Sequence, residues 1–425
     1  MYLCPRKSLT LLTVLMTLLA LSAPLPAQTP DVTPNVVYRF LHDGITQSGY
    51  SHGELVYDEV IQGADGNFYG TTVLGGSGLC LGPFGVQGCG TVYKLTPSGV
   101  QTVLYSFQLD SGGATAVNGI YPYGGLVQGS DGNFYGTASA GGNVNASCNG
   151  YTLGCGVVFK LTPTGHYTVL HAFNGVFASE GGSPTGRLLL SPNGRLYGTT
   201  YAGGNVQGAF NQGTIFSMTL AGAFTTIYSF DSAHLITDGV HPYAGVIQGT
   251  DGNLYGTTVF GGTNNLGTVF KISRAGGAIQ LLHSFAPVDG TRPYAALVQA
   301  TDGKLYGTAS AAGALDVYYQ QGTIFRVTTT GTFAKLWDFN ATDPSVTGIN
   351  PYGALNQASD GNLYGTTLAG GAGAGTIFKM TLAGKLTQLL SFDSVTDGAY
   401  PRSVPLQASD GTLYFTTSTT TNGTD

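Results

Sequence analysis

The stretch Asp65-Gly66-Asn67-Phe68-Tyr69-Gly70-Thr71-Thr72 decides the fold, because the sequence says it seven times. The phrase returns as DGNFYGTA from Asp131, NGRLYGTT from Asn193, DGNLYGTT from Asp251, DGKLYGTA from Asp302 and DGNLYGTT from Asp360. The last copy, DGTLYFTT from Asp410, has Phe415 where the others have Gly. Its tyrosines, from Tyr69 to Tyr414, are spaced 66, 62, 58, 51, 58 and 50 residues apart. Self-similarity at such a period marks a repeat architecture.

Around each copy the pattern reads as four short strands. Strand a is the apolar run before the turn, as in Ala244 to Gln248, and strand b holds the Tyr-Gly-Thr. A Gly-rich loop leads to strand c: GTVYKLT from Gly90, GVVFKLT from Gly156, GTIFSMT from Gly213, GTVFKIS from Gly267, GTIFRVT from Gly322 and GTIFKMT from Gly375. Strand d follows a short turn and ends at Phe107, Phe173, Phe230, Phe285, Phe339 and Phe392. Alternating β-branched and aromatic residues fit strands, and no helical period competes. The expectation is an all-β, seven-bladed β-propeller of four-stranded antiparallel blades rather than an open solenoid. The ends support a ring. Val36-Val37-Tyr38-Arg39-Phe40 is an isolated strand d, and the last repeat has strands a and b without clear c or d. The N-terminal strand, Val36 to Phe40, should pair in the blade that contains Leu413 and Tyr414, which would leave no exposed edge. Asn422-Gly423-Thr424 either begins a degenerate third strand, or the chain stops short of one.

The repeats resemble the tandem GloVer (Gloeo_Verruco) family of exported bacterial proteins, on the DGN[FL]YGT and GT[VI]FK[LIM]T phrases, from about Val36 onward. The resemblance implies a bacterial, exported, propeller-like protein of mostly unassigned biochemistry. Members often carry a C-terminal cell-envelope anchor. This sequence carries none, so free secretion stands beside envelope association as an expectation.

Export also follows from the residues. Arg6 and Lys7 precede an apolar run from Leu9 to Leu21, and small residues follow it. That reads as a signal peptide over residues 1–27, cut after Ala27, and is too short for a membrane span. The mature part, 28–425, reads as one repeat-built domain. Removing Arg6 and Lys7 leaves 14 basic against 22 acidic residues, a net of −8. With no basic stripe, nucleic acid and anionic lipid are poor partners. The remaining cysteines form two close pairs, Cys80 with Cys89 and Cys148 with Cys155. Outside the cell they should oxidise into two local disulfides. Zinc is the other reading, and the wide spacings and lack of a neighbouring His weigh against it.

Few residues promise chemistry. The Asp of each Asp-Gly fits a type I′ hairpin turn better than calcium, since Asn193 replaces it once. The repeated tyrosines fit packing between blades, with the following Gly admitting the next sheet. Gly49-Tyr50-Ser51-His52-Gly53 matches a nucleophile elbow but lies in an all-β chain, where that motif lacks its helix. No catalytic residue, metal or cofactor is expected.

The d-to-a connections are more informative. Six of them read Gly-x-x-Pro, with varied residues before Pro and frequent Tyr after it. These loops share a face with the long b-to-c loops, and loops on a rigid scaffold commonly carry binding. The expected ligand shell is Tyr121, Tyr123, His241, Tyr243, Arg292, Tyr294, Asn350, Tyr352, Tyr400 and Arg402. The leading expectation is a secreted, non-enzymatic protein binding an extracellular glycan or protein there. The alternatives are a polysaccharide hydrolase or lyase, using His241 with Asp238, Arg292 with Asp289, or Glu180, and a structural envelope protein.

Overall fold

The computed structural model describes residues 9–13, 35–38, 40, 50–82, 85–86, 88–110, 115–143, 153–175, 179–204, 212–311, 321–339, 348–392 and 399–418. Six blades of four antiparallel strands span residues 61–106, 127–172, 189–229, 247–284, 298–338 and 356–391. In blade 2 the strands are Val127–Gln128 (a), Phe134–Ala138 (b), Val157–Leu161 (c) and Tyr167–Ala172 (d), and the other blades follow this order.

The count of seven such blades is therefore corrected to six. The seventh repeat supplies only Leu406–Gln407 and Leu413–Thr417, an antiparallel pair. Leu9–Thr13 lies beside Leu413–Thr417 in parallel, and Asn35–Val36 lies beside Leu9–Thr13, also in parallel. Val36 thus joins the sheet that contains Leu413 and Tyr414, as expected, with Leu9–Thr13 between. The third position of this sheet, held elsewhere by a Gly-Thr-Val/Ile-Phe phrase, is taken here by Leu9–Thr13. Asn422-Gly423-Thr424 lies outside the described residues.

The ring nonetheless closes. The Gln of strand a reaches across to the turn of the preceding repeat: Ala64 N–H donates to Gln128 Oε1 (2.9 Å), Thr250 to Gln299, Thr301 to Gln357 and Ser359 to Gln407. The same clasp joins the last repeat to the first, Ser409 N–H to Gln62 Oε1 at 2.8 Å. Behind it Phe68 packs 4.2 Å from Tyr414, with Phe40, Val56 and Val60 in one buried cluster.

Two local readings change. Among the turn residues only Gly takes positive φ, +79° at Gly66 for instance, and Asp65 does not. Gly66 N–H donates to Gly63 O and Gly63 N–H to Asn67 O, so the loop has three residues, with a left-handed Gly last. That is the type I turn with a G1 bulge, not type I′. The Asp earns its place by bonding: Asp131 Oδ2 accepts from Tyr135 Oη (2.7 Å) and Asn133 Nδ2 (2.7 Å). The Gly of Tyr-Gly-Thr makes room for its own blade's strand c, not for the next sheet. A Cβ on Gly136 would lie 2.6 Å from the Phe159 ring, its partner in register.

Candidate functional site

The seven d-to-a segments place two side chains each at one level of the ring. The residue before Pro, or before Val56 in the first repeat, is left-handed: Leu55, Tyr121, Ser183, His241, Arg292, Asn350 and Tyr400, with φ between +54° and +59°. Its backbone clamps two blades. Tyr121 N–H donates to Cys89 O of blade 1, and its carbonyl accepts from Ser139 N–H of blade 2. The following Pro seats on the Gly that opens strand c, as Pro122 does on Gly90. Because the backbone does this work, the side chain is free to vary. Tyr121, His241, Arg292, Asn350 and Tyr400 accordingly stay out of the central channel. His241 stacks on Tyr201 (4.6 Å), and Arg292 and Tyr400 are exposed.

The residue after Pro points inward. Tyr123, Tyr243, Tyr294, Tyr352 and Arg402 line a 440 Å³ pocket in the channel, joined by Tyr57 and Thr185 from the same position. The rings pack on one another: Tyr294 stacks on Tyr352 at 5.1 Å, Tyr243 meets Tyr294 edge-on at 5.2 Å, and Tyr57 tilts on Tyr123 at 5.3 Å. Burial raises the Tyr243 and Tyr352 phenols above their ordinary range, so both stay neutral. The Arg402 guanidinium lies 4.7 Å from the Tyr57 ring and 5.2 Å from Tyr352, and its buried Nε has no hydrogen-bond partner. Apolar strand-a residues such as Leu189, Ile247 and Val298 form the wall beyond. The result is a set of aromatic faces with one cation among them.

Three charges at this level escape the Gly-x-x-Pro pattern. Asp58, Glu59 and Arg187 stand where other repeats carry mainly Gly or Ala. Arg187 pairs with Glu59 and donates its Nε–H to Leu126 O (3.0 Å). Burial raises the Asp58 carboxyl despite the pull of Arg187 and the Gly125 N–H. The cluster braces blades 1, 2 and 3. Tyr57, Asp58 and Glu59 were hidden because the first repeat has Val56 in place of Pro, and the signal for Arg187 is its intrusion at a small-residue position.

The acid–base candidates are scattered. Asp238 bonds Tyr228, Asp289 Oδ2 lies 3.2 Å from His283 Nε2, and Glu180 accepts from Asn174 (2.9 Å). His241 holds Tyr201 O through Nδ1 instead of meeting Asp238. Each acid ties its loop to strand d, or to the loop itself. His171 and His283 stack on Phe224 and Phe333 of the next blade, 4.0 and 3.6 Å away. Tyr50–Glu54 forms a strand against Leu74–Gly76, with no helix following Ser51.

Acid sensitivity follows. Burial lowers the His171, His241 and His283 imidazoles below 6.5, outweighing Glu180 and Asp289 where they are near. Unfolding lets each imidazole take up a proton that the fold resists, so this stability is complete above the unfolded pKa and declines as pH falls through the folded one. The turn aspartates act alike at lower pH. Burial would raise Asp65, but bonds from Lys94, Asn67 and Tyr69 hold it well below 3.8. The melting temperature should therefore drop from about pH 7 to about pH 5, and again below about pH 4. His171→Phe should shrink the first drop. A flat melting profile down to about pH 5 contradicts the assignment.

Cys80 and Cys89 form a buried disulfide. Cys155 is also disulfide-bonded, and Cys148 lies outside the described residues. Among the described residues there is no cluster of His, Cys, Asp or Glu that could hold a metal, and no helix long and apolar enough to cross a membrane.

A family model described as the Gloeobacter/Verrucomicrobia repeat matches residues 31–206 and 207–425. No curated protein matches the chain. Among solved structures, an extracellular domain from B. thetaiotaomicron is similar at 10% identity and a TM-score of 0.49, covering 87% of this chain and 39% of that one. A nidogen/laminin complex is similar at 13% identity and 0.43, covering 77% and 95%. The gluconolactonase XC5397 of Xanthomonas campestris is similar at 13% and 0.41, covering 80% and 87%.

Proposed function

We propose that this chain, which belongs to the Gloeobacter/Verrucomicrobia repeat family, is an exported, non-enzymatic propeller that binds an extracellular glycan or protein at the mouth of its central channel. The observation that carries the reading is Arg402. It is a cation between two aromatic faces, with an unpartnered buried Nε, beside a 440 Å³ pocket. Placing a guanidinium there without a carboxylate is costly unless a ligand group completes it. Neutral tyrosine rings beside it supply stacking area for sugar rings or for peptide side chains.

A glycan array combined with an extracellular-protein panel tests this. Arg402→Ala should weaken any hit by at least about tenfold, the scale of one lost charge-assisted hydrogen bond. Lys304→Ala, on the Asp-Gly face, should leave the hit unchanged. Binding indifferent to Arg402 overturns the site. The alternative of a polysaccharide hydrolase or lyase draws on the raised carboxyl of Asp58 beside Glu59. Turnover on a hydrolase panel that Asp58→Asn abolishes would favour it.

A further inference from the structure

Seven residues share one position on the channel wall, directly after the Pro of each connection or after Val56 in the first repeat. Five are Tyr, and the exceptions are Thr185 and Arg402. Thr185 belongs to the third repeat and Arg402 to the seventh, three steps apart around a ring of seven sheets. The one side without an aromatic thus lies across the channel from the cation. Thr185 turns to the wall, its hydroxyl donating to Tyr243 O at 2.7 Å.

The other charges at this level are occupied. Glu59 takes Arg187, whose Nε–H donates to Leu126 O, and Asp58 accepts the Gly125 N–H. Arg402 differs, because its buried Nε has no hydrogen-bond partner among the described residues. Its guanidinium carbon lies over the Tyr57 ring at 4.7 Å and the Tyr352 ring at 5.2 Å. Ring faces attract the charge but do not accept the N–H donors, which remain to be met. Those donors form a planar fork that a carboxylate matches with two parallel hydrogen bonds. A sulfate or phosphate would bring further negative oxygens against the negative faces of the two rings.

Tyr352 sets a second requirement beside the first. The ring that carries Arg402 also stacks on Tyr294 at 5.1 Å, and Tyr243 meets both, 5.2 Å from Tyr294 and 6.5 Å from Tyr352. A carboxylate held by Arg402 therefore has its next atoms against an aromatic surface that burial keeps neutral. In a hexuronic acid the carboxylate is one bond from the sugar ring, whose C–H face suits a tyrosine. An Asp or Glu side chain carries its carboxylate on a flexible stem without a ring. A neutral sugar leaves the guanidinium unmet.

Resting on the reading of the channel mouth as a binding site, we infer that its ligand is a uronic-acid-containing polysaccharide. One uronate carboxylate sits on Arg402, its ring lies against Tyr352 and Tyr294, and the chain leaves on the open side at Thr185.

The test is calorimetric titration of the full chain with oligosaccharides of galacturonate, glucuronate and mannuronate. Each is run beside its methyl ester, which keeps the shape and removes the charge. A neutral glucan oligomer, a sulfated galactan oligomer and oligoglutamate complete the set. At least one uronate should bind at least about tenfold more tightly than its own ester, the scale of a charge-assisted hydrogen bond. Arg402→Gln should bring acid and ester to equal affinity. Arg402→Lys keeps the charge but not the fork, and should still weaken the uronate at least about fivefold. Tyr294→Ala should weaken acid and ester alike. If the Arg402 variants do not fold, the acid-to-ester ratio on the unaltered chain decides alone. No uronate binding, esters binding as tightly as acids, an acid preference that survives Arg402→Gln, or tighter binding of sulfated galactan or oligoglutamate would each overturn the inference. The channel mouth then stands as a site only if another hit, a neutral glycan or a protein, is weakened by Arg402→Ala. Hits indifferent to Arg402 remove both readings.

Discussion

Gly213→Ala should cost at least about 3 kcal/mol, a large share of the roughly 5–15 kcal/mol that holds an ordinary fold together. Gly213 opens strand c of blade 3 at φ +96°, where L side chains are strained. A Cβ there would also lie 2.4 Å from Thr200 O and 2.7 Å from Pro242 Cδ. The first contact is with strand b of the same blade, and the second is with the segment that starts blade 4. Neither can retreat without breaking a clamp that the six Gly-x-x-Pro connections share. Gly66→Ala is the control. It too has positive φ, +79°, but nothing lies within 4 Å of its Cβ position. It should cost only about 1 kcal/mol, the conformational term alone. Urea melts of the two variants decide the point. Equal losses would mean that the Gly-Pro contact between blades carries no weight.

Tyr414→Ala should destabilise as much as the same change in the middle of the chain, by about 3–5 kcal/mol. Tyr414 is 6% exposed and packs across the junction of last and first repeats, against Phe68, Val60 and Ala408. Tyr255, its counterpart in blade 4, is fully buried against Leu297, Leu305 and Phe325. In an open stack a terminal tyrosine would be cheap to lose and a central one costly. In a closed ring every interface is internal, so Tyr414→Ala and Tyr255→Ala should agree within about 1 kcal/mol, the usual context spread. Thermal melts of both variants measure it. A Tyr414 variant that melts like the parent would open the ring.

The repeat, its strands and the Cys80–Cys89 bond were legible because each is local. Turn residues, alternation and Gly-Thr openings sit within a few positions of one another. What stayed hidden was set by distant parts of the chain. No local pattern says that the run Leu9–Thr13 lies beside Leu413–Thr417. The bulges in strand d, which leave Leu104, Leu170 and Ile227 unpaired, show no residue type that differs from an ordinary strand. The ten expected ligand residues divided in two for a backbone reason. Left-handed φ before Pro turns Tyr121, His241, Arg292, Asn350 and Tyr400 away from the channel, while Tyr123, Tyr243, Tyr294, Tyr352 and Arg402 turn into it. Alternation along an extended chain would put residues i and i+2 on one face, so the sequence pattern alone pointed both sets the same way and the left-handed turn before Pro separates them.

The most direct test of the channel-mouth assignment is amide hydrogen exchange with the strongest array or panel hit bound. Protection should concentrate at Tyr57 to Glu59, Tyr243, Tyr294 and Tyr352 to Ala354, and at Arg402 and Ser403, and should vanish with Arg402→Ala. Protection at the Asp-Gly turns around Asp251, Asp302 and Asp360, with the channel segments unchanged, would contradict it.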